Sequence, residues 1–492
     1  MRAPRAIHHR LKWVSLAIWL IACAGYVFFS SRLAGTGFPL DDAWIHQTYA
    51  RNLVQGHYWG FAPGSPSAGS TSPLWTGIIA VGYFLHVHPK IWTMLMGMLA
   101  QLNLAFVCST WIRQRNPGNE KIGIWVFTLV LLEWHLIWAA LSGMEILLYA
   151  LLVCGLFLLL GMPSLRPIWA GALVGAGVWI RPDALLLLLP AAWVCLFRPK
   201  HRTAARFLDL AGLMVGATVI FLPYLGFNRL LDGSFWPSTY YAKQAEYAVM
   251  LEAPLLRRLG EQFAQPLTGL GLLLVPGVIW GVYRDMKQRA WTRLAPLLWV
   301  LAFAGAYAIR LPVVYQHGRY AMPMIPIFVV LGMEGLLDLH KHLAKRTWTG
   351  MLSRTWSVSI VAVGLVFLLP GGRAYGMDVA VIETEMVQTA RWIAVHTERN
   401  ALVAAHDIGA LGYYGERPIL DLAGLISPEV IPVIRDEAAL ARMLDERGAK
   451  YLMTFPGWYP ELTEGLIPVY VSGGVYSPAL GGENMSVYRW KP

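Results

Sequence analysis

Apolar runs long enough to cross a bilayer recur along the first three quarters of the chain, separated by short basic loops. They fall near residues 13–29, 91–111, 122–141, 146–161, 168–180, 184–197, 207–227, 266–283, 294–309, 322–338 and 356–369, about eleven in all. A less apolar stretch, 73–87, ends in His86, His88 and Lys90. Counting it as a crossing would invert every later loop. Left in the interface, it brings the basic loops at 113–121, 166, 198–206, 284–293 and 341–354 to one side, as the cytoplasmic excess of Lys and Arg requires. The basic N-terminus followed by an apolar run has the outline of a signal peptide. The lack of a small-x-small cleavage site and the many later runs favour an uncleaved first span with a cytoplasmic N-terminus. A multi-pass protein of the inner or plasma membrane is expected.

From about residue 372 the pattern changes. Charges return and apolar runs shrink to strand length. LVAAH, PILDL, KYLMTF, IPVYV and SVYRW read as strands, 380–397 as an amphipathic helix, and 436–447 as a further helix between two strands. The expected architecture is a polytopic α-helical membrane module, 1–371, including an external loop over 34–90 with interfacial helices. A small extracytoplasmic α/β domain follows over 372–492.

Composition agrees. Of 492 residues 56% are hydrophobic and 14% charged, against about 25% charged in soluble domains, and mean hydropathy is +0.49. The formal charge of +11 does not indicate a nucleic-acid partner, because the basic residues lie in the short loops. The four cysteines sit inside apolar runs without metal-ligand spacing. No HExxH, CxxC, GxSxG or Walker pattern occurs, so zinc-protease, soluble-hydrolase and nucleotide-driven pump readings lose support. GSPSAGSTS lacks the Lys and helix of a phosphate loop and reads as a flexible connector.

On this topology the candidate chemistry gathers outside. Asp41 and Asp42 follow the first span, and paired acids suit proton abstraction or cation binding as well as helix capping. His46 and Tyr49 share a helical face with Asp42. Glu145 opens a later span, where the helix dipole alone could hold it. Glu133 and His135 lie within a span, to face a cavity or to pair. Arg181, Arg319, Lys243 and His317 lie at outer mouths, placed to hold a phosphate or to snorkel to headgroups. Tyr240 and Tyr241 suit a sugar or an aromatic belt. His406, Asp407, Tyr413, Tyr414 and Asp421 form the densest polar group of the C-terminal domain. Asp42, His46 and Glu145 also admit a divalent cation.

LDDAWIHQTYARNL, SAGSTSPLW, ALSGMEILLYALL, WIRPDALLLL, WPSTYYAK, HGRYAMPMIP and HDIGALGYYG with PILDLAGL occur in that order and sidedness. Over nearly its whole length the chain thereby resembles the type C (GT-C) membrane glycosyltransferases that use polyprenyl-phosphate sugars. The motif pattern is most similar to the actinobacterial arabinofuranosyltransferase branch. Ser238 departs from the Asn expected in the fifth motif. The resemblance implies transfer of a pentosyl or hexosyl group, with inversion, to an extracytoplasmic hydroxyl of a glycan, lipid or protein in cell-envelope assembly. Asp41 or Asp42 would be the base, and Glu145 would help orient the acceptor or hold a cation. Arg181, Arg319, Lys243 and His317 would bind donor phosphate. His46, Tyr49, Tyr240, Tyr241, Asp407 and Tyr414 would contact substrate. A lipid-linked sugar transporter or flippase is the alternative, though no repeated halves are evident; a non-catalytic envelope-assembly protein would leave the acids unexplained.

Overall fold

The computed structural model describes residues 3–62, 65–198, 203–343 and 349–490. Among the described residues six helices are long and apolar enough to cross a membrane, or up to eight if each of two bent pairs is one span, with four shorter apolar helices among them. The stretch read as interfacial forms the helix Pro73–Phe84. Its 12 residues rise about 18 Å, short of the roughly 30 Å hydrocarbon core.

The run at 122–141 is one apolar stretch in sequence but two helices in space. Glu120–Leu132 and Trp134–Leu141 meet at 55°. Glu133 makes the break: its backbone is extended and its side chain accepts from Leu136 N at 3.0 Å, capping the second helix. Its other oxygen lies 2.8 Å from His135 Nδ1, so these two intramembrane groups pair with each other. A second break, of 110°, separates Leu255–Leu267 from Gly271–Lys287.

Small residues let helices approach closely. A Cβ on Gly171 would overlap the Leu213 carbonyl, and one on Gly216 the Ile168 carbonyl, where Pro167–Val178 crosses Thr203–Asp232. Gly277 and Gly335 play the same part between Gly271–Lys287 and Ile325–Leu343.

The last long helix runs from Thr349 to His396, 48 residues with a widened turn over Ile382–Val387. It carries the chain through the expected boundary at 371/372 without interruption. Beyond it lies a five-stranded mixed sheet of order β2-β1-β3-β5-β4. The strands are β1 (Val403–Ala405), β2 (Ile419–Asp421), β3 (Tyr451–Thr454), β4 (Pro468–Val471) and β5 (Ser486–Arg489). All five lie within the segments read as strands. β1 is parallel to β2 and β3; β5 is antiparallel to β3 and β4. Helix Glu437–Arg447 links β2 to β3, capped by Asp436 and ended by Gly448 at φ +69°.

Strand alternation divides the domain into two cores. Ala404, Leu420, Leu452 and Tyr488 pack with Leu440 and Leu444 of that helix. Val403, Ala405, Met453 and Val487 face the other way and join the core of the membrane helices. The sheet is thus seated on the membrane module.

Candidate active site

The two adjacent acids have different partners. Asp41 accepts from Gly409 N at 2.6 Å and Ala410 N at 2.8 Å, so it ties the segment after the first helix to the C-terminal domain. Burial and the nearby Asp407 push its carboxyl up to about 8, against the two N–H bonds that favour ionisation. Asp42 begins the helix Asp42–Gln55. Its Oδ2 lies 2.7 Å from Arg319 Nη2 and 3.5 Å from Lys243 Nζ. Burial opposes its charge, but the two cations outweigh it and hold the carboxyl well below the usual range. Tyr320 completes this group: its hydroxyl accepts from Lys243 at 3.1 Å and from Arg319 at 3.2 Å.

Asp42, Lys243, Arg319 and Tyr320 form one wall of a cavity of about 400 Å³. Glu145, His46, Arg181, Asp183 and Tyr307 form another. Glu145 Oε1 is 3.9 Å from Arg181, and its Oε2 is 3.7 Å from His46 Nε2. Burial works against its charge, and His46 with Arg181 keeps it ionised below the usual range. Arg181 also binds Asp183 at 3.0 Å and donates to the Tyr307 hydroxyl, which in turn bonds Asp183. The first wall sets two cations against one acid. The second sets one arginine against two acids.

The cavity therefore gathers Asp42, Glu145, His46, Arg181, Lys243, Arg319 and Tyr240 from the sequence-derived set. The rest lie elsewhere. Asp41 is the domain clamp. His317 Nε2 meets Asp378 Oδ2 at 2.8 Å and does not line the cavity. The Tyr49 hydroxyl, fully buried, bonds Ser67 at 2.6 Å and Gly69 N at 2.9 Å, so it fixes a loop and has no surface for substrate. Tyr241 is exposed beside Tyr240. Tyr414 packs on Trp44 and under Arg391. Asp407 lies in the C-terminal domain and does not line the cavity, and burial raises its carboxyl to about 6.

GSPSAGSTS is not a free connector. Over 67–72, Ser67 and Gly69 meet Tyr49, Ala68 N donates to Asp232 at 2.9 Å, and Ser70 bonds Thr76 at 2.9 Å. Ser238 donates to the Leu425 carbonyl, and Leu425 lines the cavity, so the C-terminal domain supplies part of the wall. For a divalent cation the donor set is poor. Asp42 Oδ2 already faces two cations, and among the described residues no three His, Cys, Asp or Glu side chains gather as a metal set.

Sequence reasoning missed Tyr307 and Tyr320 as members of the site. Tyr307 lies one turn before the end of the helix Ala295–Arg310 and Tyr320 follows Arg319 just ahead of the helix Ile325–Leu343, and tyrosine near the end of an apolar helix reads as interfacial belt.

The architecture is that of known proteins. ArnT from Cupriavidus metallidurans in the apo state aligns over 97% of this chain and 98% of its own, with TM-score 0.56 and 15% identity. The same protein bound to undecaprenyl phosphate aligns equally well. The Archaeoglobus fulgidus oligosaccharyltransferase in the apo form aligns over 90% of this chain and 69% of its own, with TM-score 0.60 and 10% identity. The chain has the fold of the type C membrane glycosyltransferases. Residues 378–488 match the model of a domain of unknown function (DUF8728). No curated protein sequence matches the chain.

Proposed function

We propose that the protein transfers a sugar from a polyprenyl-phosphate donor to an extracytoplasmic hydroxyl in cell-envelope assembly. The carrying observation is Asp42 held by Arg319 and Lys243 at the wall of a cavity that Glu145 and Arg181 also line. Undecaprenyl phosphate bound to ArnT, a protein of the same fold, supports a lipid-phosphate ligand.

In this reading the donor phosphate takes Arg319 and Lys243, freeing the carboxylate they hold. The bond from the anomeric carbon to the phosphate oxygen breaks, and its electron pair leaves on the phosphate, where the two cations stabilise it. The acceptor oxygen bonds to the anomeric carbon, and its proton passes to Asp42. Attack from the side opposite the phosphate inverts that carbon. Asp42, rather than Asp41, takes the base role because Asp41 spends both oxygens on backbone N–H groups. Glu145, with its Oε2 buried and without a hydrogen-bond partner, orients a hydroxyl of donor or acceptor. Arg181 acts chiefly through Glu145 and Asp183, since the two acids neutralise it.

Purified protein is to be incubated with synthetic polyprenyl-phosphate pentoses and hexoses and an envelope glycan acceptor. Covalent product from wild type and its loss in Asp42→Asn are expected. Full turnover by Asp42→Asn would remove the base assignment. Vesicle uptake of donor without product would replace the enzyme by a transporter.

A further inference from the structure

Three consecutive residues ahead of Arg319 have left-handed backbone: Gln316 at φ 53°, His317 at 59° and Gly318 at 65°. Two of them carry side chains, and such conformations persist only where the surroundings hold them. The holding contact falls on His317. Its Nε2 donates to Asp378 Oδ2 at 2.8 Å, and Trp138 Nε1 donates to the same oxygen at 2.8 Å. The rings of Trp134 and Trp138 stand edge-on to the imidazole at 5.6 and 5.5 Å. Asp378 belongs to the long helix Thr349–Val381, and Trp138 to the helix that follows the break at Glu133. At Gly318 a Cβ would run into Gln265, so no side chain fits there. The next residue, Arg319, reaches Asp42 at 2.7 Å.

We propose that Asp378 is a positioning residue for the phosphate-binding arginine: by anchoring His317 it fixes the left-handed turn that aims Arg319 into the cavity. This rests on reading the cavity as the site of a polyprenyl phosphate. Asp378 does not line that cavity, so its effect on ligand passes through Arg319. The helix that carries the C-terminal domain thereby sets the geometry of the donor wall.

The test uses full-length protein in detergent and a short-chain polyprenyl phosphate without sugar, with binding measured by calorimetry. Asp378→Ala is expected to weaken binding about tenfold, the loss of one charge-assisted contact. In an Arg319→Ala background the same change is expected to cost less than twofold. Asp378→Asn, which keeps one accepting oxygen, should fall between wild type and Asp378→Ala. If Asp378→Ala does not fold, Asp378→Asn is compared in both backgrounds, with loss expected only where Arg319 is present. Equal weakening in both backgrounds means a general structural role and overturns the inference. Unchanged binding in the Asp378 variants overturns it as well. If wild type binds no polyprenyl phosphate, the donor reading falls and takes this inference with it.

Discussion

The Arg319 guanidinium donates to Asp42 Oδ2 at 2.7 Å across 277 positions of sequence. Lys243 shares that oxygen from a third segment. One acid between two cations leaves an excess positive charge at the wall, suited to an anion. Five expectations follow from this pairing and from its setting in the fold.

Asp42→Asn should lower the transfer rate by about 10²–10⁴, the usual contribution of a positioned base. Donor KM should stay level or fall, because two cations lose their competing carboxylate. Steady-state kinetics on a polyprenyl-phosphate sugar check this. A raised KM with unchanged kcat would place Asp42 in donor binding alone.

Asp42 and Glu145 are both held below the usual carboxylate range, so both stay ionised in mildly acidic solution. The rate of transfer should therefore show no acid limb from these groups between about pH 5 and 7. A pH–rate profile of kcat/KM, which reports the free enzyme, tests it. A carboxylate inflection in that window that disappears in Glu145→Gln would contradict it.

Asp41 behaves differently. Its carboxyl is raised from 3.8 to about 8 in the folded protein. The folded state binds the proton more tightly, so this contribution to stability is complete below about pH 4 and is lost as pH climbs to about 8. Asp407, raised to about 6, acts in the same direction. Thermal unfolding in detergent should show a midpoint falling across this range, with a shallower slope in Asp41→Asn. An identical slope in the variant would discard this account.

Truncation after residue 372 should abolish donor binding together with acceptor use. It removes Leu425 from the cavity wall, the N–H groups that hold Asp41, and the Gly412 and Tyr413 carbonyls that accept from Arg51. Retained binding of polyprenyl phosphate by the truncated protein would show that the wall stands without the domain.

Gly171→Val should destabilise the protein by about 1–3 kcal/mol, the usual result of overpacking. The new side chain would strike the Leu213 carbonyl where two helices cross. Differential scanning fluorimetry gives the shift, and an unchanged midpoint would mean the helices part freely.

The C-terminal sheet was readable because its five strands are short apolar runs bounded by turns, with alternate residues serving two cores. The bend at Glu133 was not, since hydropathy treats 122–141 as continuous; only the isolated acid hinted at it. Charge asymmetry brought Asp42, Lys243 and Arg319 to the same side. It could not tell Asp41 from Asp42, because their separation depends on Gly409 and Ala410, more than 360 residues away. His317 looked like a phosphate ligand beside Arg319, but the left-handed turn presents it to Asp378. GSPSAGSTS looked mobile from composition, and its anchors on Tyr49 and Asp232 are tertiary.

The unbroken helix Thr349–His396 measures about 70 Å at 1.5 Å per residue, more than twice the hydrocarbon thickness. The sheet domain is therefore mounted on a strut and not hung from a tether. Braced by the strut and again where its inner strand face joins the core of the membrane helices, it stands fixed at the cavity wall that Leu425 completes.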